Sequence, residues 1–115
     1  MGDTREVFQS CISCVENLER VLFHFRCQRF YQAERDNTVF LNDISRLIEL
    51  LLSDEDSSKL ISFDELLSIL KMANSAQEQQ NYVLLADLYE LQILPILHNL
   101  IEHFAAQQDI IIDFE

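Results

Sequence analysis

The chain holds one glycine, Gly2, and one proline, Pro95, in 115 residues. All-β sandwiches and barrels need turn residues about every 8–12 positions, so this scarcity excludes them. It favours long, uninterrupted helices. A chain of 115 residues is long enough for one domain with a single core and too short for two ordinary ones. With 49% of its residues hydrophobic, it does not have the composition of a disordered segment.

Charge narrows the class of partner. Twenty acidic and eight basic residues give a formal net charge of −12, which repels a polyanion, so neither nucleic acid nor an anionic membrane surface is an expected partner. The distribution is uneven. Arg5, Arg20, Arg26, Arg29, Arg35 and Arg46 lie in the first part of the chain, and no Lys or Arg follows Lys71. Glu78, Asp87, Glu90 and Glu102 do follow it, so the first half can supply cations to the acids of the second.

Cys11, Cys14 and Cys27 make an odd set. With no basic n-region or apolar h-region at the N-terminus, they read as free thiols in a reducing, cytoplasmic setting. The most apolar stretch, Val83–Leu100, is interrupted by Asp87, Glu90, Gln92, Pro95, His98 and Asn99, and is not read as a membrane span.

Hydrophobic spacing places the helices. Phe8, Cys11, Val15, Leu18, Leu22 and Phe25 alternate steps of three and four and lay one seam along a first helix, approximately residues 4–29. Phe30, Ala33, Asn37, Phe40, Ile44, Leu47 and Leu51 continue the alternation in a second, approximately 35–53. No glycine marks the boundary between them, and the turn is expected near Phe30–Glu34 within the wider window Cys27–Asn37.

Ser53–Lys59 is polar and helix-averse and reads as a loop. Ser62-Phe63-Asp64-Glu65 then matches the capping box, in which the serine and the glutamate each satisfy an otherwise orphan amide. It opens a third helix, approximately 63–79, with Asn81 as cap of a fourth, approximately 82–107; an earlier turn at Asn74 is the alternative. The fourth is apolar nearly all round, as expected of the most buried helix, and its interior Pro95 is expected to kink it. Residues 108–115 form a tail with the run Ile110-Ile111-Ile112, free to fray or to dock in a groove. The expected architecture is all-α, an antiparallel four-helix bundle running up-down-up-down, with a dimer as one assembly its apolar surface allows.

No catalytic constellation stands out, and the chain is not expected to be an enzyme or to carry a cofactor. Cys11-Ile12-Ser13-Cys14 is a CxxC, but it lies two turns inside a helix with Cys11 on the apolar seam, so it reads as core packing. No second CxxC or suitably spaced histidine completes a zinc site. His24, His98 and His103 lack the Glu-x-x-His spacing of a bundle di-metal centre, and none has the lysine and small-residue neighbourhood of a phosphotransfer histidine. Asp87 and Glu90 share a face of the most apolar helix, one turn apart. A structural ion pair with Arg20, Arg26 or Arg29 is one reading of them; an anchor for a basic partner segment is the other.

The segment Asn81-Tyr82-Val83-Leu84-Leu85-Ala86-Asp87-Leu88-Tyr89-Glu90, followed by Pro95, resembles a "DYVLLADLLE…P" segment of small uncharacterised all-helical proteins from Firmicutes-type bacteria. This chain carries Asn81 where that pattern has aspartate. The resemblance covers about fifteen residues and implies a turn and a buried helix start. A looser, fold-level similarity is to flagellar export chaperones, small acidic helical bundles that hold an amphipathic segment of a secreted partner; it implies a chaperone-like role.

The expected function is therefore a non-enzymatic adaptor or export-chaperone-like module that binds an amphipathic helical segment through an apolar groove. Leu67, Leu70, Asp87, Leu88, Glu90 and Leu91 are the expected contact residues. A structural homodimer is the alternative, with an enzyme third.

Overall fold

The computed structural model describes residues 4–107. They form four helices and, among the described residues, no strand: α1 (Thr4–Arg26), α2 (Phe30–Leu52), α3 (Phe63–Glu78) and α4 (Tyr82–Gln107). A short 3₁₀ turn, Ser57–Lys59, lies between α2 and α3. The radius of gyration is 14.2 Å, close to the roughly 13 Å expected of a compact domain of this length.

The boundary between α1 and α2 is the first departure from expectation. α2 begins at Phe30, so the turn is Cys27–Arg29 and not Phe30–Glu34. Arg29 N donates to His24 O at 2.8 Å and Gln28 N to Phe25 O at 3.0 Å, with Gln28 at φ 58°. This is the Schellman ending, which usually carries glycine at its left-handed position. The α3/α4 turn repeats it: Asn81 N donates to Ala76 O at 2.8 Å, Gln80 N to Gln77 O at 3.0 Å, and Gln80 sits at φ 57°. Both turns place a glutamine where a reader of sequences looks for glycine. Ser62 Oγ accepts from Glu65 N at 3.2 Å and caps α3, and Asn81 Oδ1 accepts from Leu84 N at 3.2 Å and caps α4.

α4 departs from regular geometry at Tyr89–Ile93, which form a π-helical turn. Leu94 N reaches back five residues to Tyr89 O. Pro95 has no N–H and its ring crowds the preceding turn, so widening that turn relieves the conflict. The buried positions Leu85, Tyr89, Ile93, Leu97, Ile101 and Ala105 fall every four residues. In a uniform α-helix such a series drifts by about 40° per step; the extra residue of the wide turn corrects part of that drift.

α1 packs against α2 and against the C-terminal half of α4, while α3 packs on the N-terminal half of α4. Three polar links join α1 and α2 in reversed order along the two helices. Arg46 pairs with Glu6 at 3.1 Å, Asp43 accepts from Ser13 Oγ at 2.7 Å and from Asn17, and His24 Nε2 lies 3.2 Å from Asp36 Oδ2. The core draws on all four helices, with Leu18, Phe40, Leu66 and Ile93 all essentially buried.

One buried polar network crosses that core. Asn37, 1% exposed, donates to Gln77 Oε1 at 2.9 Å and accepts from the Tyr89 hydroxyl at 2.5 Å. It ties α2, α3 and the π turn together at one level. The Tyr89 ring meets Phe40 edge-on at 5.2 Å, and burial pushes its phenol well above the usual range.

The reading of α4 as apolar and buried all round needs correction. Its inner face is buried, but Val83 is 75% and Leu91 69% exposed. α4 is the one described helix long and apolar enough to cross a membrane by length and composition.

Candidate functional site

The two Schellman turns lie side by side and frame an open cleft of about 770 Å³. One wall is the end of α1 and start of α2, with Phe25, Arg26, Gln28 and Phe30; the other is the α3/α4 turn and first turns of α4, with Gln80, Asn81, Tyr82, Val83, Ala86, Asp87 and Glu90. Because each turn spends only three residues between helices, the helix ends on either side are held close.

Aromatic rings build its floor. Tyr82 stacks on Phe30 with centroids 4.6 Å apart and on Phe25 at 5.3 Å. Its hydroxyl donates to Glu34 Oε1 at 2.5 Å, across to α2, and that bond raises the phenol above its ordinary value. Phe25 is buried, whereas Phe30 is 39% exposed and offers part of its ring to an incoming group.

Acids stand at the rim. Arg26, at the last residue of α1, forms an ion pair with Glu90 on the π turn. Asp87, one turn earlier, is exposed and has no ion-pair partner among the described residues. The other two arginines weighed for these acids go elsewhere. Arg20 donates to Asn17 Oδ1 at 2.8 Å, and the Arg29 guanidinium lies over the Phe23 ring, 5.9 Å from its centroid.

The expected contact residues are therefore divided. Asp87 and Glu90 line the cleft. Leu91 is exposed beside them, in step with Val83 and Asp87 at intervals of four. Leu67, on α3, is 47% exposed, and Leu70 is half-buried against the core. Leu88 is corrected out of the set: it is 6% exposed, because it points inward with Leu85 and Tyr89. Phe25, Phe30 and Tyr82 were missed. In the sequence Phe25 and Phe30 fall on helical seams, and only a turn at Cys27–Arg29 places them across from one another.

The remaining chemistry-bearing residues belong to the fold. Cys11 and Cys14 are buried, and desolvation pushes the Cys11 thiol up to about 12 and Cys14 higher still, with the Asp43 charge adding to Cys14. Neither is a nucleophile at neutral pH. Cys27 is exposed. No group of three or more His, Cys, Asp or Glu among the described residues is arranged to hold a metal ion. A smaller depression of about 350 Å³ lies far from the cleft, bordered by Thr4, Val7, Asp54, Ser57, His103 and Gln107 among others.

A family model described as "Domain of unknown function (DUF8042)" matches residues 1–103. No curated protein and no solved structure matches the chain.

Proposed function

We propose that this chain, which belongs to the DUF8042 family, is a non-enzymatic interaction module, adaptor- or export-chaperone-like, that binds an amphipathic helical segment of another protein. The observation that carries the reading is the cleft: an aromatic floor with Phe30 part-exposed, continued along α4 by the exposed Val83 and Leu91. Val83 and Leu91 stand eight residues apart on one face with Asp87 between them, and an amphipathic helix would lay apolar side chains against the first two and a polar one against Asp87. In this reading the helices run up-down-up-down as an antiparallel bundle, and the protein works in the cytoplasm. Leu67 and Leu70 on α3 do not line the cleft and are not part of this contact.

A displayed library of amphipathic helical peptides, selected against the purified protein, tests the proposal. Selected peptides are expected to bind at 1:1 and to lose affinity on Val83→Glu or Leu91→Glu. Failure to select any peptide overturns it. Native mass spectrometry at several concentrations separates out the structural homodimer, in which the same apolar stripe is consumed by a second copy: a dimer at every concentration with no peptide uptake would establish that alternative.

A further inference from the structure

Resting on that reading, we propose that the cleft is specific for a basic amphipathic helix, and that Arg26 occupies the place the partner's own Arg or Lys takes on docking. The argument begins with the charges around the cleft. Its lining holds two carboxylates, Asp87 and Glu90, against the single cation Arg26. Asp87 has no ion-pair partner among the described residues. A helix laid along Val83, Asp87 and Leu91 covers these acids and removes their water. A desolvated carboxylate without a cation is costly, so a neutral or acidic partner would be penalised where a basic one is not.

The Arg26–Glu90 pair decides how the cation enters. Its two side chains are 57% and 42% exposed. Exposed pairs contribute little to stability, so exchanging one guanidinium for another across Glu90 meets no large barrier in free energy. Arg26 also ends α1 at a left-handed turn, where its side chain can swing outward without disturbing a helix interior. The pair is thus an internal placeholder that keeps Glu90 satisfied until a partner arrives. The net charge of −12 and the absence of any Lys or Arg after Lys71 act in the same direction, drawing a basic segment to this half of the chain.

A surface brace and a placeholder make different predictions for the two partners of one ion pair. If the pair is only a brace, Arg26→Gln and Glu90→Gln lower stability alike and leave peptide affinity unchanged. If Arg26 is a placeholder, they move affinity in opposite directions. The probe is a peptide taken from the helical library, together with its twin in which every Lys and Arg is replaced by Gln. Selected sequences should be enriched in Lys or Arg beside the apolar stripe. Arg26→Gln should tighten binding by about two- to fivefold; Glu90→Gln and Asp87→Asn should each weaken it by a similar factor. The Gln twin should bind more weakly and should be tightened, not weakened, by Asp87→Asn, which removes the uncompensated carboxylate, and the response of the basic peptide should shrink at high salt. All three positions are on the surface, and unchanged circular dichroism and melting confirm intact folds. Peptides that bind but carry no basic bias, or Arg26 and Glu90 variants that shift affinity in the same direction, overturn the inference while leaving the interaction module standing. A library that yields no peptide removes both.

Discussion

The Tyr89 hydroxyl donates to Asn37 Oδ1 at 2.5 Å in a site where both residues are 1% exposed. The bond crosses from the π turn of α4 to the middle of α2, and Asn37 passes the connection on to Gln77 of α3. A buried amide oxygen left without its donor incurs the full desolvation cost of that group. Tyr89→Phe should therefore destabilise the protein by about 1–3 kcal/mol, although it removes a single oxygen atom. Urea denaturation with an unchanged m-value is the check. Asn37→Ala should cost at least as much, because it strands both Tyr89 and Gln77.

Alkaline pH should unfold the protein through buried acids that cannot ionise in place. Burial raises Cys11 from 9.0 to about 12 in the fold and raises Cys14 and Tyr89 in the same direction. For a group whose folded pKa lies above its unfolded one, the stability is intact below the unfolded value. It declines as pH rises through it, since only the unfolded chain can release the proton. The urea midpoint should hold steady to about pH 8 and fall between about 9 and 12. Cys14→Ala should flatten that slope while lowering stability at pH 7.

Thiol accessibility follows from the same burial. Among the three cysteines only Cys27, exposed in the first turn, should react with a thiol reagent under native conditions. Cys11 and Cys14 should react only at the rate of opening, and in denaturant all three should titrate. Fast native reaction of two or more thiols would contradict the packing of α1.

The two left-handed glutamines are a reserve of stability. A non-glycine residue at such a φ is strained by roughly 1–2 kcal/mol, and glycine there carries no Cβ penalty. Gln28→Gly and Gln80→Gly should each stabilise the fold, by about 1 kcal/mol once the extra freedom of the unfolded chain is subtracted. Thermal melts of the single and double variants are the check. Gln28 and Gln80 line the same cleft, so the double variant measures whether the two turns couple across it.

Much of the helical layout was legible because periodicity and caps agree. The seam from Phe8 to Phe25, the Ser62 cap and the Asn81 cap rest on local rules that packing does not override. The α1/α2 turn was not legible, since its left-handed residue is Gln28 and the usual glycine signal is missing. The π turn was hidden for a related reason. Pro95 announces a defect, but whether a helix bends or widens depends on which residues must stay buried, here Tyr89 and Ile93. Of the residues that line the cleft, Asp87 and Glu90 could be read from their spacing on one helix. Phe25, Phe30 and Tyr82 could not, because their meeting depends on the geometry of two turns 52 residues apart, at Gln28 and Gln80.

Thr4 and Gln107, the first and last described residues, border the same small depression. α1 and α4 each run from that end of the molecule to the cleft, about 35–40 Å at 1.5 Å per residue. A label attached at Thr4 or at Gln107 therefore stands about a helix length from the cleft. A short linker could join Thr4 to Gln107, with the chain reopened in the Ser53–Lys59 loop, without cutting either of the turns that shape the cleft.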